Sequence, residues 1–364
     1  MGRVGLRSRI MQKAVVLTGH DVAAWRQRYR AGDAPAPLPY EVNALADAGL
    51  GVAIRGISGG RLVKKLRDVA EHRIGYPLQA PLQAAWQARQ ADVVIALLEM
   101  EAVLPGLLKR RGLPPYGNRP LVIWSCWLAE NIRKAGAAER AETKRRIEAA
   151  DLITHLSRQE AETFVDLGIP AERLFAVTYG VSHRYYVPGD GERDIGILAV
   201  GQDHGRDYAT LFEAVKETPL RVDVVCQPEN LDGLDVPDNV TVHAPVPHRE
   251  YRELLRRAQV MAIPTRVLAY PTGSSVALEA ASSGCCVVAT ETPAMSEYLI
   301  DDVSGLLVPV GDAGAWRQVL LALRDDPARV ARLARAARES VVERFNAHHM
   351  WTELAHVMRQ RGLL

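Results

Sequence analysis

No strand-like run in this 364-residue sequence leads into G-x-G-x-x-G, and no Walker loop occurs. The first run ends at Thr18-Gly19-His20-Asp21, with one glycine where a dinucleotide fold needs three, so nicotinamide and flavin chemistry are disfavoured. Cysteine is limited to Cys126, Cys226, Cys285 and Cys286, which lack metal-ligand spacing; three fall in or beside apolar runs and read as buried thiols in a reducing compartment. Lysine is scarce, and net charge is only +2, which gives no electrostatic case for nucleic acid. No apolar run approaches membrane-spanning length, and the basic N-terminus (Arg3, Arg7, Arg9) precedes no apolar segment. The expectation is a cytoplasmic chain without a leader or spanning helix. Asp301-Asp302 and Asp232, Asp235 and Asp238 sit in turn-rich segments, where solvated Asp is the norm, so no metal site is expected.

What is present is an alternation. Ala14 to Leu17, Val52 to Arg55, Asp92 to Leu97, Leu121 to Ser125, Asp151 to Leu156 and Leu174 to Val177 read as strands. Helix patterns lie between them at Tyr40 to Ala48, Pro81 to Gln90, Glu130 to Glu148 and Arg158 to Leu167. After a turn-rich Val187 to Gly191 the pattern restarts, with strands at Ile195 to Val200, Arg221 to Val225, Val240 to His243, Val260 to Ile263, Cys286 to Ala289 and Gly305 to Val308. The fold class is therefore α/β, two doubly wound Rossmann-like domains facing across a cleft. The expected division is 1–187, 188–345, and a C-terminal helix at 346–364 that returns to the first domain, with a hinge near Gly180 to Glu192.

Chemistry concentrates in two loops of the second domain. After Val260 to Ile263 comes Pro264-Thr265, then Tyr270-Pro271-Thr272-Gly273-Ser274-Ser275, then a helical run to Gly284. Strand, glycine-bearing loop and helix aim backbone N–H groups at an anion, Ser274 or Ser275 supplying the N-cap. Glu279 is an acid inside that apolar helix; it reads either as a surface residue or as the acceptor of two hydrogen bonds from a vicinal diol such as ribose. The other loop is Gly201-Gln202-Asp203-His204-Gly205-Arg206-Asp207, with Arg206 placed to meet a phosphate and Asp207 to cap the following helix.

Together, Gly201 to Ala214, Pro264-Thr265 with Gly273 to Gly284, Val287 to Glu297 and Ser304 to Pro309 with Gly311-Asp312 resemble the donor-binding domain of retaining glycosyltransferases of the GT-B fold, family 4 of the glycosyltransferases. The first half resembles that family more loosely, through Leu38-Pro39-Tyr40, Asp92-Val93-Val94, Ser157 and Gly180-Val181. The resemblance implies transfer of a hexose-type sugar from a nucleoside diphosphate sugar to an acceptor hydroxyl, with retention and without cofactor or metal. It implies donor binding by Gly201, Gln202, His204, Arg206, Thr265, Tyr270, Gly273, Ser274, Ser275 and Glu279, with Arg206 and Glu279 central to catalysis. It places His20, Tyr40, Ser125 and Trp127 on the acceptor side.

The chain departs from the family pattern at three points. The first of the family's two Glu residues falls at Pro271 or Tyr270; one member of its basic pair falls at Gln202; and Ser125-Cys126-Trp127 stands where a His is usual. A catalytically silent nucleotide-sugar-binding subunit, or an epimerase of the same fold, therefore stays open. Trp25 to Pro39 reads as a long loop, either recognising the acceptor or without direct role. Trp127 reads either as core or as a flat platform for a sugar or aromatic ring of a small-molecule, glycan or lipid-linked acceptor. Residues 61–69 are basic and amphipathic, either a solvated helix face or a peripheral membrane contact.

Overall fold

The computed structural model describes residues 11–364; Arg3, Arg7 and Arg9 lie outside the described residues, as do the side chains of Arg61 and Leu62. Among the described residues, twelve strands form two sheets of six. The first contains β1 (Gln12–Asp21), β2 (Leu50–Ile57), β3 (Val93–Leu97), β4 (Leu121–Trp124), β5 (Leu152–His155) and β6 (Leu174–Ala176), in the order β2-β1-β3-β4-β5-β6. The second contains β7 (Ile195–Val200), β8 (Val222–Val225), β9 (Val240–His243), β10 (Ala258–Ile263), β11 (Cys286–Thr290) and β12 (Leu306–Val308), in the order β12-β11-β10-β7-β8-β9. All pairings are parallel. Buried on both faces, such strands read as continuous apolar runs, which is why they are legible in the sequence. Two Rossmann-like sheets are what the alternation predicts.

The described helices are α1 (Val22–Arg30), α2 (Arg61–Ile74), α3 (Gln79–Gln83), α4 (Ala85–Ala88), α5 (Val103–Arg110), α6 (Leu128–Lys134), α7 (Ala137–Ile147), α8 (Glu160–Asp166), α9 (Tyr208–Val215), α10 (His248–Arg257), α11 (Ser274–Ser282), α12 (Ala313–Asp325), α13 (Pro327–Glu343) and α14 (Ala347–Gln360). Met350, Trp351, Leu354 and Met358 of α14 pack into the core beneath the first sheet, and Trp351 Nε1 donates to the Tyr40 carbonyl at 2.8 Å. Backbone hydrogen bonds between Val181 and both Phe345 and Ala347 pin the two chain crossings side by side. All four cysteines are free and buried.

Several elements differ from the sequence reading. The segment from Trp25 is not one long loop: α1 covers its first part, capped by Asp21 accepting from Ala24 N, and Trp25 Nε1 ties the helix to the Ala36 carbonyl at 2.9 Å. No residue of α1 is buried, so it shows no apolar stripe to announce it. The pattern over Glu130 to Glu148 is two helices, because Gly136 restarts the chain as an N-cap bonded to Glu139. Tyr40 to Ala48 becomes a 3₁₀ segment, Pro39–Ala46, with Tyr40 and Glu41 both left-handed (φ 53°). The Pro81 to Gln90 pattern splits into α3 and α4, and α5 was not read at all.

Candidate active site

In an open α/β sheet, ligands bind beyond the carboxyl ends of the strands, where the strand order reverses. In the second sheet that point lies between β7 and β10. The glycine-bearing loops follow these two strands, and an antiparallel bridge between Arg206 and Thr265 joins them.

Arg206 is the centre of the arrangement. It is only 7% exposed, yet its Nε and Nη1 have no hydrogen-bond partner, and its nearest carboxylate, Asp203, is 3.8 Å away. Burying guanidinium N–H donors without acceptors is costly, which makes Arg206 the leading candidate for contact with an anion. The two loop glycines make room for it. A Cβ on Gly201 would collide with Arg206 Nε, and one on Gly273 would lie 2.7 Å from Nη1.

Gly273 is left-handed (φ 85°) and is itself the N-cap of α11, so neither serine caps the helix; Ser274 is its first residue. The arrangement still turns the first N–H groups of α11 toward the loop. Thr272 Oγ1 donates to Asp203, 3.0 Å from each carboxylate oxygen, and Asp203 accepts from Gly205 N at 2.8 Å. Thr265 is buried, with its N–H donating to Thr290 Oγ1 at 2.8 Å. Gln202 and His204 are exposed at the rim, Gln202 being tied to Gln227 and Asn230. Tyr270 is half-buried, its hydroxyl pushed up to about 12 by burial and by Asp203.

A cavity of about 360 Å³ opens beside these groups, lined by Gly201, Asp203, Arg206, His248, Tyr251 and Ser275 among others. That is within the range of small-molecule sites. Glu279 is half-buried, one turn further along α11 from Ser275. Burial pushes its carboxyl up to about 7, against the opposing pull of the Tyr251 and Tyr186 hydroxyls. Tyr186 Oη and His248 Nδ1 lie 3.3 Å apart, and burial and then Arg28 push His248 below its ordinary value. Sequence reasoning missed Asp203, Tyr186, His248 and Tyr251. The last two sit on α10, whose polar composition reads as plain surface.

On the first domain, His20 meets Trp25 (5.3 Å between ring centroids) and Tyr40 (5.8 Å) edge-on, and Trp25 meets His248 at 6.5 Å. An aromatic series therefore runs from the end of β1 to the rim of the cavity. Tyr40 packs 4.7 Å from Trp124, while Ser125 is buried. Trp127 is 45% exposed at the residue before α6, which excludes the core alternative. Among the described residues no group of three or more His, Cys, Asp or Glu is arranged to hold a metal ion, and no helix is long and apolar enough to cross a membrane.

Residues 197–326 match the family model described as glycosyl transferases group 1. A D-inositol 3-phosphate glycosyltransferase of Xylanimonas cellulosilytica is 31% identical over 245 residues, 58% of this chain and 56% of that protein. The chain thus spans little more than half the length of that curated relative. Among solved structures, Anabaena HepE in complex with UDP-glucose superposes with a TM-score of 0.69 at 13% identity, covering 96% of this chain and 99% of HepE. A sucrose-phosphate synthase from Thermosynechococcus elongatus gives 0.69 at 18% identity, covering 96% and 98%. Over nearly its whole length the chain therefore has the GT-B fold of these structures, and residues 197–326 carry the sequence pattern of the glycosyl transferases group 1 model.

Proposed function

We propose that this chain moves a hexose-type sugar from a nucleoside diphosphate sugar to an acceptor hydroxyl with retention of anomeric configuration, in bacterial natural-product or surface-glycan assembly. The observation that carries the reading is the buried Arg206 guanidinium, its Nε and Nη1 without hydrogen-bond partners, between Gly201 and Gly273 and beside the N-terminus of α11. A diphosphate supplies the acceptors that this guanidinium lacks. Glu279, further along the same helix, takes the ribose hydroxyls, and the cavity toward His248 and Tyr251 takes the rest of the nucleoside. The similar proteins support the same class: glycosyl transfer in the Xylanimonas relative, UDP-glucose bound in the structural neighbour HepE.

In the proposed reaction the bond between the anomeric carbon and the phosphate oxygen breaks. The acceptor oxygen bonds to that carbon on the same face, and its proton passes to the leaving phosphate oxygen. The sugar crosses an oxocarbenium-like state, and the protein's task is to stabilise charge on the departing phosphate. On this reading Arg206 and the α11 amides perform that task, and no nucleophilic carboxylate is required. A thermal-shift screen of nucleotides and nucleotide sugars, followed by proton NMR of the product formed in EDTA, tests the reading. An inverted linkage, or no turnover without a divalent metal, counts against it; nucleotide binding with no transfer to any acceptor favours the silent-subunit alternative, for which the acid missing at Tyr270-Pro271 is the motive.

A peripheral membrane contact through residues 61–69 is part of the proposal. Val63, Leu66 and Val69 are exposed along α2, beside the exposed Lys65. Co-sedimentation with anionic vesicles should fall for Leu66→Glu.

A further inference from the structure

Ala269 belongs in sequence to the donor loop and in space to the other domain. Its N–H donates to Glu130 Oε2 at 2.8 Å, and its carbonyl accepts from Gln159 Nε2 at 2.8 Å. Its side chain is buried in the first domain's core, in a cluster with Leu128, Ala129 and Ile132. Both backbone groups and the methyl of this residue are therefore satisfied from across the cleft.

From these contacts we infer that Glu130 and Gln159 are positioning residues: they hold the donor loop in its ligand-ready shape and make that shape conditional on engagement of the two domains. The inference rests on the donor-site reading above. Glu130 is 3% exposed, with Arg133 Nη2 at 2.7 Å and Lys134 Nζ at 3.2 Å from its oxygens. Burial alone would raise its carboxyl, but the Ala269 N–H, Lys134 and Arg133 outweigh it and hold the group below its ordinary value. It is thus a charged acceptor, the strongest kind for a backbone N–H.

The grip is transmitted along the loop. Three residues after Ala269, Thr272 Oγ1 binds Asp203, and Gly273 then packs on Arg206. Losing the Glu130 contact frees the chain next to the wall that confines the guanidinium. Upstream, α6 follows directly on the exposed Trp127, three residues before Glu130, so acceptor contact and donor-loop support are on one short element. The loop from Thr265 to Gly273 carries no acid of its own, and an acid from the opposite domain governs it through the backbone.

The test uses the full-length chain, with amide exchange of a peptide spanning 266–273 and calorimetric titration with UDP-glucose. Glu130→Ala should speed exchange in that peptide, leave β3 protected, and weaken UDP-glucose on the order of tenfold, the scale of one charge-assisted hydrogen bond. Glu130→Gln, whose amide oxygen still accepts from Ala269, should restore most of both. Gln159→Ala, removing the second grip, should act in the same direction should Glu130→Ala prove unstable. In turnover the donor KM should rise more than kcat falls. Unchanged exchange in the folded variants overturns the inference, as does faster exchange with unchanged UDP-glucose affinity. If the wild-type chain binds no UDP-glucose while Glu130→Ala still loosens 266–273, the donor reading fails and the loop-holding role stands.

Discussion

If Glu279 takes the ribose hydroxyls, nucleotide-sugar affinity depends on pH in a calculable way. The carboxylate accepts two hydrogen bonds; the neutral acid cannot accept both equally well. With the group titrating at about 7, lifted by burial, the ionised fraction falls from about 90% at pH 8 to about 10% at pH 6. Affinity should fall with it, by roughly ninefold or about 1.3 kcal/mol. Binding should pull the group back toward ionisation and release about half a proton at pH 7. UDP-glucose is the right probe, because its diphosphate is esterified at both ends and lacks the terminal phosphate ionisation near pH 6. Three neighbouring groups bear on the slope. The Tyr186 and Tyr251 hydroxyls are pushed well above their ordinary range and stay neutral. His248 is pushed down and, when protonated at the acid end, would attract phosphate, an effect of opposite sign. Titration calorimetry in two buffers of different ionisation enthalpy, from pH 6 to 8, measures both quantities. Glu279→Gln should bind more weakly at pH 8 and lose the slope. A flat wild-type profile, or a slope surviving in Glu279→Gln, refutes the assignment.

Other expectations follow from the same geometry. Arg206→Ala should weaken UDP-glucose by about 1.5–3 kcal/mol, the value of hydrogen bonds to a charged group, and leave uridine unchanged, as competitive titration would show. Trp127→Ala should leave the unfolding free energy within roughly 0.5 kcal/mol, as exposed substitutions do, while raising the acceptor KM; a large loss of stability would contradict its exposure. Glu101 is buried with Oε2 unpartnered, and burial and then Glu71 raise it to about 7. Its folded form holds a proton that the unfolded chain releases near 4.5. Its favourable contribution is therefore complete below that value and lost as pH rises through about 7, up to about 3 kcal/mol in all. Denaturant unfolding of Glu101→Gln from pH 5 to 8 should show a flatter decline than the wild type.

Strands were legible because a parallel sheet covered on both faces makes each one a short apolar run bounded by polar residues. The helices were less so. Helix α1 has no buried face, being held by one Asp21 cap and one indole hydrogen bond, and neither contact leaves a period in the sequence. The gap at Ala135-Gly136 vanished inside a strongly helical composition. In the site, the two glycine loops stood out because backbone approach demands glycine at defined positions. The groups that give Glu279 its environment arrive from α10 and from Tyr186, far along the chain, and Glu130 arrives from the other domain. Such partners are set by tertiary packing, and no local pattern encodes them.

The charge balance at Arg206 bears on the departures from the family pattern. On the proposed reading a diphosphate with two negative charges meets one buried guanidinium and the N-terminus of α11, worth roughly half a charge. The neutral Gln202 is exposed at the rim, and Asp203 subtracts at 3.8 Å. In water that set would be weak, but a cation taken out of water acts at a much lower effective dielectric, and its own desolvation has already been met in folding. Nor must the site hold the full charge of a departing diphosphate. In a same-face transfer the acceptor's proton moves to the leaving oxygen as the bond breaks, cancelling the unit that a second cation would otherwise oppose. What the site then has to supply is placement: Gly201 and Gly273 on either side of the guanidinium, and a loop held in register from the opposite domain. A single cation is enough where the reaction delivers the proton and the fold fixes the geometry.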